Sequence, residues 1–188
     1  MTIKLKKWQT VKSEYLVTDR WLRLRSDSCL TPEGDTIEPY YVMEYPDWVS
    51  CLVLSEDLQK VTMLQHYRHG IDDFVLEVPG GVIDDGESPQ QTIKRELKEE
   101  LGLQDATIHQ TGVVWANPSM MTNKDFCFVA IGGKYAEQHL EPGDTFTMVT
   151  MSREELLAKI EDPEYTFQSL HLSAIFLALN FLKKQGKL

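Results

Sequence analysis

The chain has 188 residues, 42 % of them hydrophobic, with a formal net charge of -10. That is enough for one domain with small additions and a real core, and it excludes a disordered chain. The acidity argues against a nucleic-acid backbone or an anionic membrane as the main partner, but not against a small phosphorylated substrate, since a bound divalent cation reverses the local sign.

The N-terminal "MTIKLKKWQTVKSEY" is basic but has no apolar signal core. Residues 1–45 alternate short extended runs with turns, and "TPEGDT" (Thr31–Thr36) reads as a turn. "YYVMEY" (Tyr40–Tyr45) reads as a strand. "WVSCLVL" (Trp48–Leu54) and "KVTMLQHYR" (Lys60–Arg68), joined by polar "SEDLQ", read as a hairpin, and "FVLEV" (Phe74–Val78) as a strand ending at Pro79. A helix from Ser88 to Leu101 follows. "ATIHQTGVVW" (Ala106–Trp115), "DFCFVAI" (Asp125–Ile131) and "FTMVTM" (Phe146–Met151) are further strands. Ser152 and Glu155 make a capping box for a helix to about Glu161, and a last helix runs from about Gln168 to Lys184. Its apolar stretch, Leu172–Leu182, is too short to span a bilayer. Strands, a central helix, strands and then helices indicate an α+β sheet structure or sandwich rather than regular βαβ units. Cys29, Cys51 and Cys127 have no CxxC spacing, which fits reduced, mostly buried thiols in a cytoplasmic protein.

The central helix carries the chemistry. Ser88 and Gln91 form a capping box, Pro89 suits the first turn, and Gly102 suits the stop. Ile93, Leu97 and Leu101 make one apolar stripe. Glu96 and Glu100 lie one turn apart on another face, with Glu99 adjoining. Their repulsion costs about 0.2–0.5 kcal/mol even when exposed, and the helix C-terminus disfavours anions. A solvated face paired with Lys94, Arg95 and Lys98 is one reading. A hard divalent cation held by the carboxylates is the other, and it is favoured by Gly80-Gly81, which lets a backbone approach a ligand closely, and by Glu77 in the preceding strand.

Gly81, five residues, Glu87, seven residues, then "RELKEELGL" (Arg95–Leu103) resembles the Nudix box, G-x5-E-x7-R-E-U-x-E-E-x-G-U with U aliphatic, at all nine fixed positions over 23 residues. The resemblance implies hydrolysis of nucleoside diphosphates linked to another group with Mg²⁺ or Mn²⁺, in a mixed sheet between helices. It implies metal ligation by Glu96, Glu100 and the Gly80 carbonyl, with Glu99 a ligand or close neighbour, and Arg95 orienting the carboxylates through Glu87. "YRHGIDDFVLEVPGG" (Tyr67–Gly81) and Pro118 resemble the branch that acts on ADP-ribose and other nucleoside diphosphate sugars. That branch brings an extra glutamate, here Glu77, near the metals. Arg68 then contacts phosphate, or else closes its strand against Asp72 or Asp73. Gly81 lets the substrate approach. In a later loop, where the branch often has a glutamate to orient the attacking water, this chain has Thr145, leaving Glu141 or Asp144 for that role. Trp48 or Trp21 could stack on a nucleobase, or simply pack. The resemblance also implies a homodimer formed through N-terminal strands 1–45, followed by the hydrolase domain at 46–188.

Overall fold

Strand-forming residues open the chain: β1 (Gln9–Thr18), β2 (Arg23–Leu30) and β3 (Thr36–Glu44) pair antiparallel in sequence order. The computed structural model describes residues 6–20, 22–140 and 145–188. It divides into two compact units, Met1–Pro46 with Trp115–Asn123, and Asp47–Val114 with Lys124–Leu188.

In the first unit the turn at Thr31–Asp35 closes with backbone bonds Thr31 N–H to Asp35 O (2.9 Å) and Gly34 N–H to Thr31 O (3.0 Å). Asp27 on β2 is buried, which is tolerable because Arg25 Nε and the Ser13 hydroxyl both donate to it. β1 is exposed along its whole length, and Val11, Tyr15 and Leu16 present apolar surface.

The second unit holds β4 (Trp48–Leu54), β5 (Lys60–Arg68), β6 (Asp73–Glu77), β7 (Gly80–Val82), α1 (Pro89–Leu101), β8 (Leu103–Gln104), β9 (Thr107–Trp115, its last residue counted with the first unit), β10 (Lys124–Ile131), β11 (Lys134–Tyr135), β12 (Phe146–Ser152), α2 (Arg153–Glu161) and α3 (Ser169–Lys184). The main sheet runs β12-β5-β4-β10-β9, with β10 parallel to β4 and the β4–β5 and β5–β12 pairs antiparallel; β8 and β11 pair separately. β4 is apolar almost throughout because both its faces are covered. Val49, Cys51 and Val53 pack with Ile93, Leu97 and Leu101 of α1. Leu52 and Leu54 belong to the opposite core, with Leu156 of α2 and Ala174, Ile175, Ala178 and Leu182 of α3. Burying each such leucine or isoleucine contributes about 1.5–3 kcal/mol. The layers are therefore helix, mixed sheet, helices, as the resemblance implied.

The hairpin expected from β4 and β5 is only partly one. The strands pair at Val53–Thr62 and Leu54–Val61 and then part. Residues 73–82 enter the fork: β6 pairs with β5 from Leu64–Glu77 to Arg68–Asp73, and β7 pairs with β4 from Trp48–Val82 to Ser50–Gly80. Pro79, which has no N–H to give, sits between β6 and β7 and accepts from Cys51 N–H at 2.9 Å. The strand expected from Phe74 ends before Pro79, as β6, and beyond the proline a separate short strand, β7, takes the other margin of the fork.

All three cysteines are free and buried, and burial pushes the Cys127 thiol up to about 12. Asp125 on β10 is also fully buried. Burial raises its carboxyl to about 6, against the opposing hydrogen bonds from Ser50 and Cys127. The folded value exceeds the unfolded one, so its contribution to stability is complete below about pH 4 and is lost as pH rises through about 6. Asp125→Asn should therefore gain stability relative to wild type as pH goes from about 4 to 7, by up to about 3 kcal/mol. Urea unfolding of both proteins across that range checks it, and a constant difference would show that Asp125 does not titrate as described.

Candidate active site

The fork places the glycine pair beside the acidic helix. An added Cβ at Gly80 would collide with the Val49 carbonyl, and one at Gly81 with the Glu96 carboxylate; only glycine lets this turn lie so close to both β4 and α1. α1 starts at a complete Ser88–Gln91 capping box and stops at Gly102, which is left-handed at φ 66°. Its apolar stripe is buried, which turns Glu96, Glu99 and Glu100 toward the glycine turn.

Arg95 organises these acids. Its Nη1 donates to Glu96 Oε1 and to Glu99 Oε2, each at 3.0 Å. Its Nη2 donates to Glu87 Oε2 at 3.1 Å and lies 3.4 Å from Asp84 Oδ2. The Glu87 hydrogen bond is the main reason that the Arg95 pKa is raised further, with Glu96 and Glu99 adding to it and partial burial opposing. In return the Arg95 guanidinium and the Thr92 hydroxyl hold the Glu87 carboxyl below its ordinary range. Glu100 Oε2 accepts from Gly80 N–H at 3.0 Å, tying the helix to the turn.

A cleft of about 920 Å³ opens over this ground. It brings together Trp48, Arg68, Glu77, Gly80, Gly81, Arg95, Glu96, Glu99 and Glu100, and Glu87 holds Arg95 from behind. Arg68 does not pair with Asp72 or Asp73. It forks onto Glu77, Nε to Oε1 at 2.8 Å and Nη2 to Oε2 at 2.6 Å. This explains how Glu77 can be 3 % exposed on a strand, and as placed both its oxygens are engaged by Arg68. Glu141, Asp144 and Trp21 lie outside the described residues.

Sequence reasoning missed part of the lining. His66 and His171, with Thr166, Phe167 and Gln168 ahead of and at the cap of α3, face the same cleft. Two-residue alternation could have placed His66 beside Arg68. No local pattern could have brought the start of α3 to the acids, because tertiary packing alone does that.

The donor set suits a hard divalent cation: three carboxylates, all oxygen, and a glycine, Gly81, where a Cβ would fill the space beside Glu96. Among the described residues no three carboxylate, imidazole or thiol groups already converge as a metal cage. Glu96 and Glu99 point to Arg95, and Glu100 to Gly80 N–H. A cation would compete with those partners.

Carboxylates set on a capped helix behind a glycine turn, in a mixed sheet layered between helices, make a cleft suited to an oxygen-seeking cation. The chain belongs to the Nudix family: the family model of the NUDIX domain matches residues 44–169, and that of the nucleoside diphosphate sugar hydrolase N-terminal domain matches 8–43. It is thus a Nudix pyrophosphohydrolase. A methanol dehydrogenase activator from Bacillus methanolicus is 24% identical over 187 residues, covering 98% of this chain and 97% of that protein. An ADP-ribose pyrophosphatase from Mycobacterium tuberculosis is 34% identical over 101 residues, 53% of this chain and 48% of that one. The crystal structure of an ADP compounds hydrolase matches with a TM-score of 0.83 and 22% identity, covering 100% of both chains; at that identity the likeness shows the fold. Among the described residues no helix is long and apolar enough to cross a membrane.

Proposed function

We propose that the protein hydrolyses the pyrophosphate bond of a nucleoside diphosphate linked to a sugar, ADP-ribose or a close relative, giving a nucleoside monophosphate and a sugar phosphate. The observation that carries this is that Glu96, Glu99 and Glu100 line the same cleft as Arg68 and the glycine turn. The N-terminal match to a nucleoside diphosphate sugar hydrolase domain and the likeness to an ADP-ribose pyrophosphatase support the substrate class.

Mg²⁺, with Mn²⁺ as substitute, is the cofactor in this reading, held by Glu96, Glu99, Glu100 and the Gly80 carbonyl, with Glu77 as a further candidate. When bound, it neutralises the pyrophosphate oxygens and makes water a stronger acid. Arg95 keeps Glu96 and Glu99 aimed. Arg68, half exposed beyond its fork with Glu77, presents positive charge to a phosphate. A carboxylate, Glu99 or Glu100, or Glu141 or Asp144 from the later loop, takes the proton of the attacking water. The bridging P–O bond breaks, and one phosphate leaves with its sugar or nucleoside. Trp48 offers a ring to the base. The protein works in the cytoplasm as a homodimer through the N-terminal strands, where the exposed Val11, Tyr15 and Leu16 offer an apolar surface, and it needs neither nucleic acid nor membrane.

A panel of nucleotide sugars, a dinucleotide, GDP-mannose and nucleoside triphosphates, assayed with Mg²⁺ and with EDTA, tests the reading. Monophosphate and sugar phosphate from ADP-ribose, abolished by EDTA, are expected. Released pyrophosphate from triphosphates alone would overturn it. The likeness to an activator protein over nearly the whole chain favours a second reading, a regulatory role through the same site; binding of nucleotide sugars with no turnover across the panel would select it.

A further inference from the structure

The carboxylates occupy one side of the cleft, and a pyrophosphate does not fill about 920 Å³. The remaining space is walled by the entry to α3. Gln168 is the N-cap of that helix but makes no side-chain cap bond, so its amide is not spent on the helix. His171 stands three residues on, on the same face of the first turn, and both line the cleft. His171 Nδ1 is sealed from solvent and has no hydrogen-bond partner among the described residues. A hydroxyl in the cleft cannot reach a sealed nitrogen, so the ring, which lines the cleft, meets a ligand through Nε2. Burial lowers the imidazole to about 4, with Glu77 opposing and Arg68 assisting, so the ring is neutral near pH 7 and Nε2 donates or accepts according to its tautomer. A primary amide offers both as well.

That chemistry discriminates between ligands. A phosphate wants donors and positive charge, and a neutral imidazole in the field of Glu77 is a poor match for it. Hydroxyl groups donate and accept, and a vicinal pair of them matches two side chains one turn apart. We propose that His171, with Gln168, is a specificity-determining residue that hydrogen-bonds the hydroxyls of the sugar attached to the diphosphate. This rests on the nucleoside diphosphate sugar reading above and deepens it: the protein selects for a polyhydroxylated group rather than for any ester of a nucleoside diphosphate.

The experiment compares ADP-ribose with the β-methyl ester of ADP, which keeps the nucleotide and the diphosphate but has no second sugar. Wild-type turnover of ADP-ribose tests the underlying reading by itself. In His171→Ala, kcat/KM for ADP-ribose should fall about 10–100-fold, mostly through KM, while that for the methyl ester stays within about twofold. Gln168→Ala, at an exposed position, should show the same bias at a smaller size with folding intact. Equal losses on both substrates, or no loss on either, would mean that the ring only packs or holds a buried water, and the proposal falls. Should wild type turn over neither compound, NMR still decides: with Mg²⁺ present, ribose 5-phosphate but not methyl phosphate should shift the His171 ring signals. Equal shifts, or none, overturn it.

Discussion

Glu100→Gln should lower turnover of the best substrate by about three orders of magnitude while changing folding stability by less than about 0.5 kcal/mol. Glutamine keeps the size of the side chain and an oxygen that can still accept from Gly80 N–H, the 3.0 Å bond that ties α1 to the glycine turn. What it removes is the negative charge. For folding that charge is a mild liability, since Glu96 lies one turn away and the helix ends at Gly102. For an oxygen-seeking divalent ion and for a water that must lose a proton, the charge is the working part. Steady-state kinetics with saturating Mg²⁺, together with urea unfolding, separate the two. A variant that unfolds instead of losing activity would make the acids structural.

Arg95→Ala should reduce activity about 10–100-fold and raise the Mg²⁺ concentration needed for half-maximal rate. Arg95 touches no substrate in this reading, yet one guanidinium reaches Glu87, Glu96 and Glu99 at 3.0–3.1 Å. Without it Glu96 and Glu99 lose the group that aims them, and Glu87 loses its main partner. Stability should drop as well, by about 1–3 kcal/mol, because partly buried carboxylates are left unmatched. Arg95→Lys should recover little of either, since a single ammonium cannot reproduce the planar fork. Titrating Mg²⁺ against initial rate for the variants and wild type measures the effect. Wild-type kinetics in an Arg95→Ala protein that is merely less stable would remove Arg95 from the site.

The acidic helix could be read from sequence because its information is local. Capping residues, a four-residue apolar stripe and carboxylates at fixed helical offsets all lie within one stretch, and Ser88, Leu97 and Glu100 stand where that spacing puts them. β4 was read only as one strand of a hairpin, and its cover on both faces comes from α1 on one side and α2 and α3 on the other, which no local pattern announces. The fork was not legible either. β7 is three residues long, two of them glycine, so it has no period to detect, and its pairing is set by where β4 and β5 separate. The partner of Arg68 was missed because Asp72 and Asp73 are nearer in sequence, whereas the register of β5 on β6 brings Glu77 back to it. The α3 wall of the cleft depends on residues about seventy positions beyond the acids, and no periodicity spans such a gap.

The fork has a mechanical consequence. Where two strands diverge, each exposes a ragged margin of amides that ordinarily breathes or recruits another chain. Here residues 73–82 close both margins from inside, so the floor of the cleft is knitted backbone rather than a draped loop. Rigidity is concentrated where atoms must be aligned to a fraction of an ångström. The tip joining β4 to β5 lies at the opposite extremity, where lengthening or recolouring it would leave the reacting centre undisturbed. Substitutions at the rim and at the entry to α3 therefore disturb this paired backbone less than substitutions within residues 73–82.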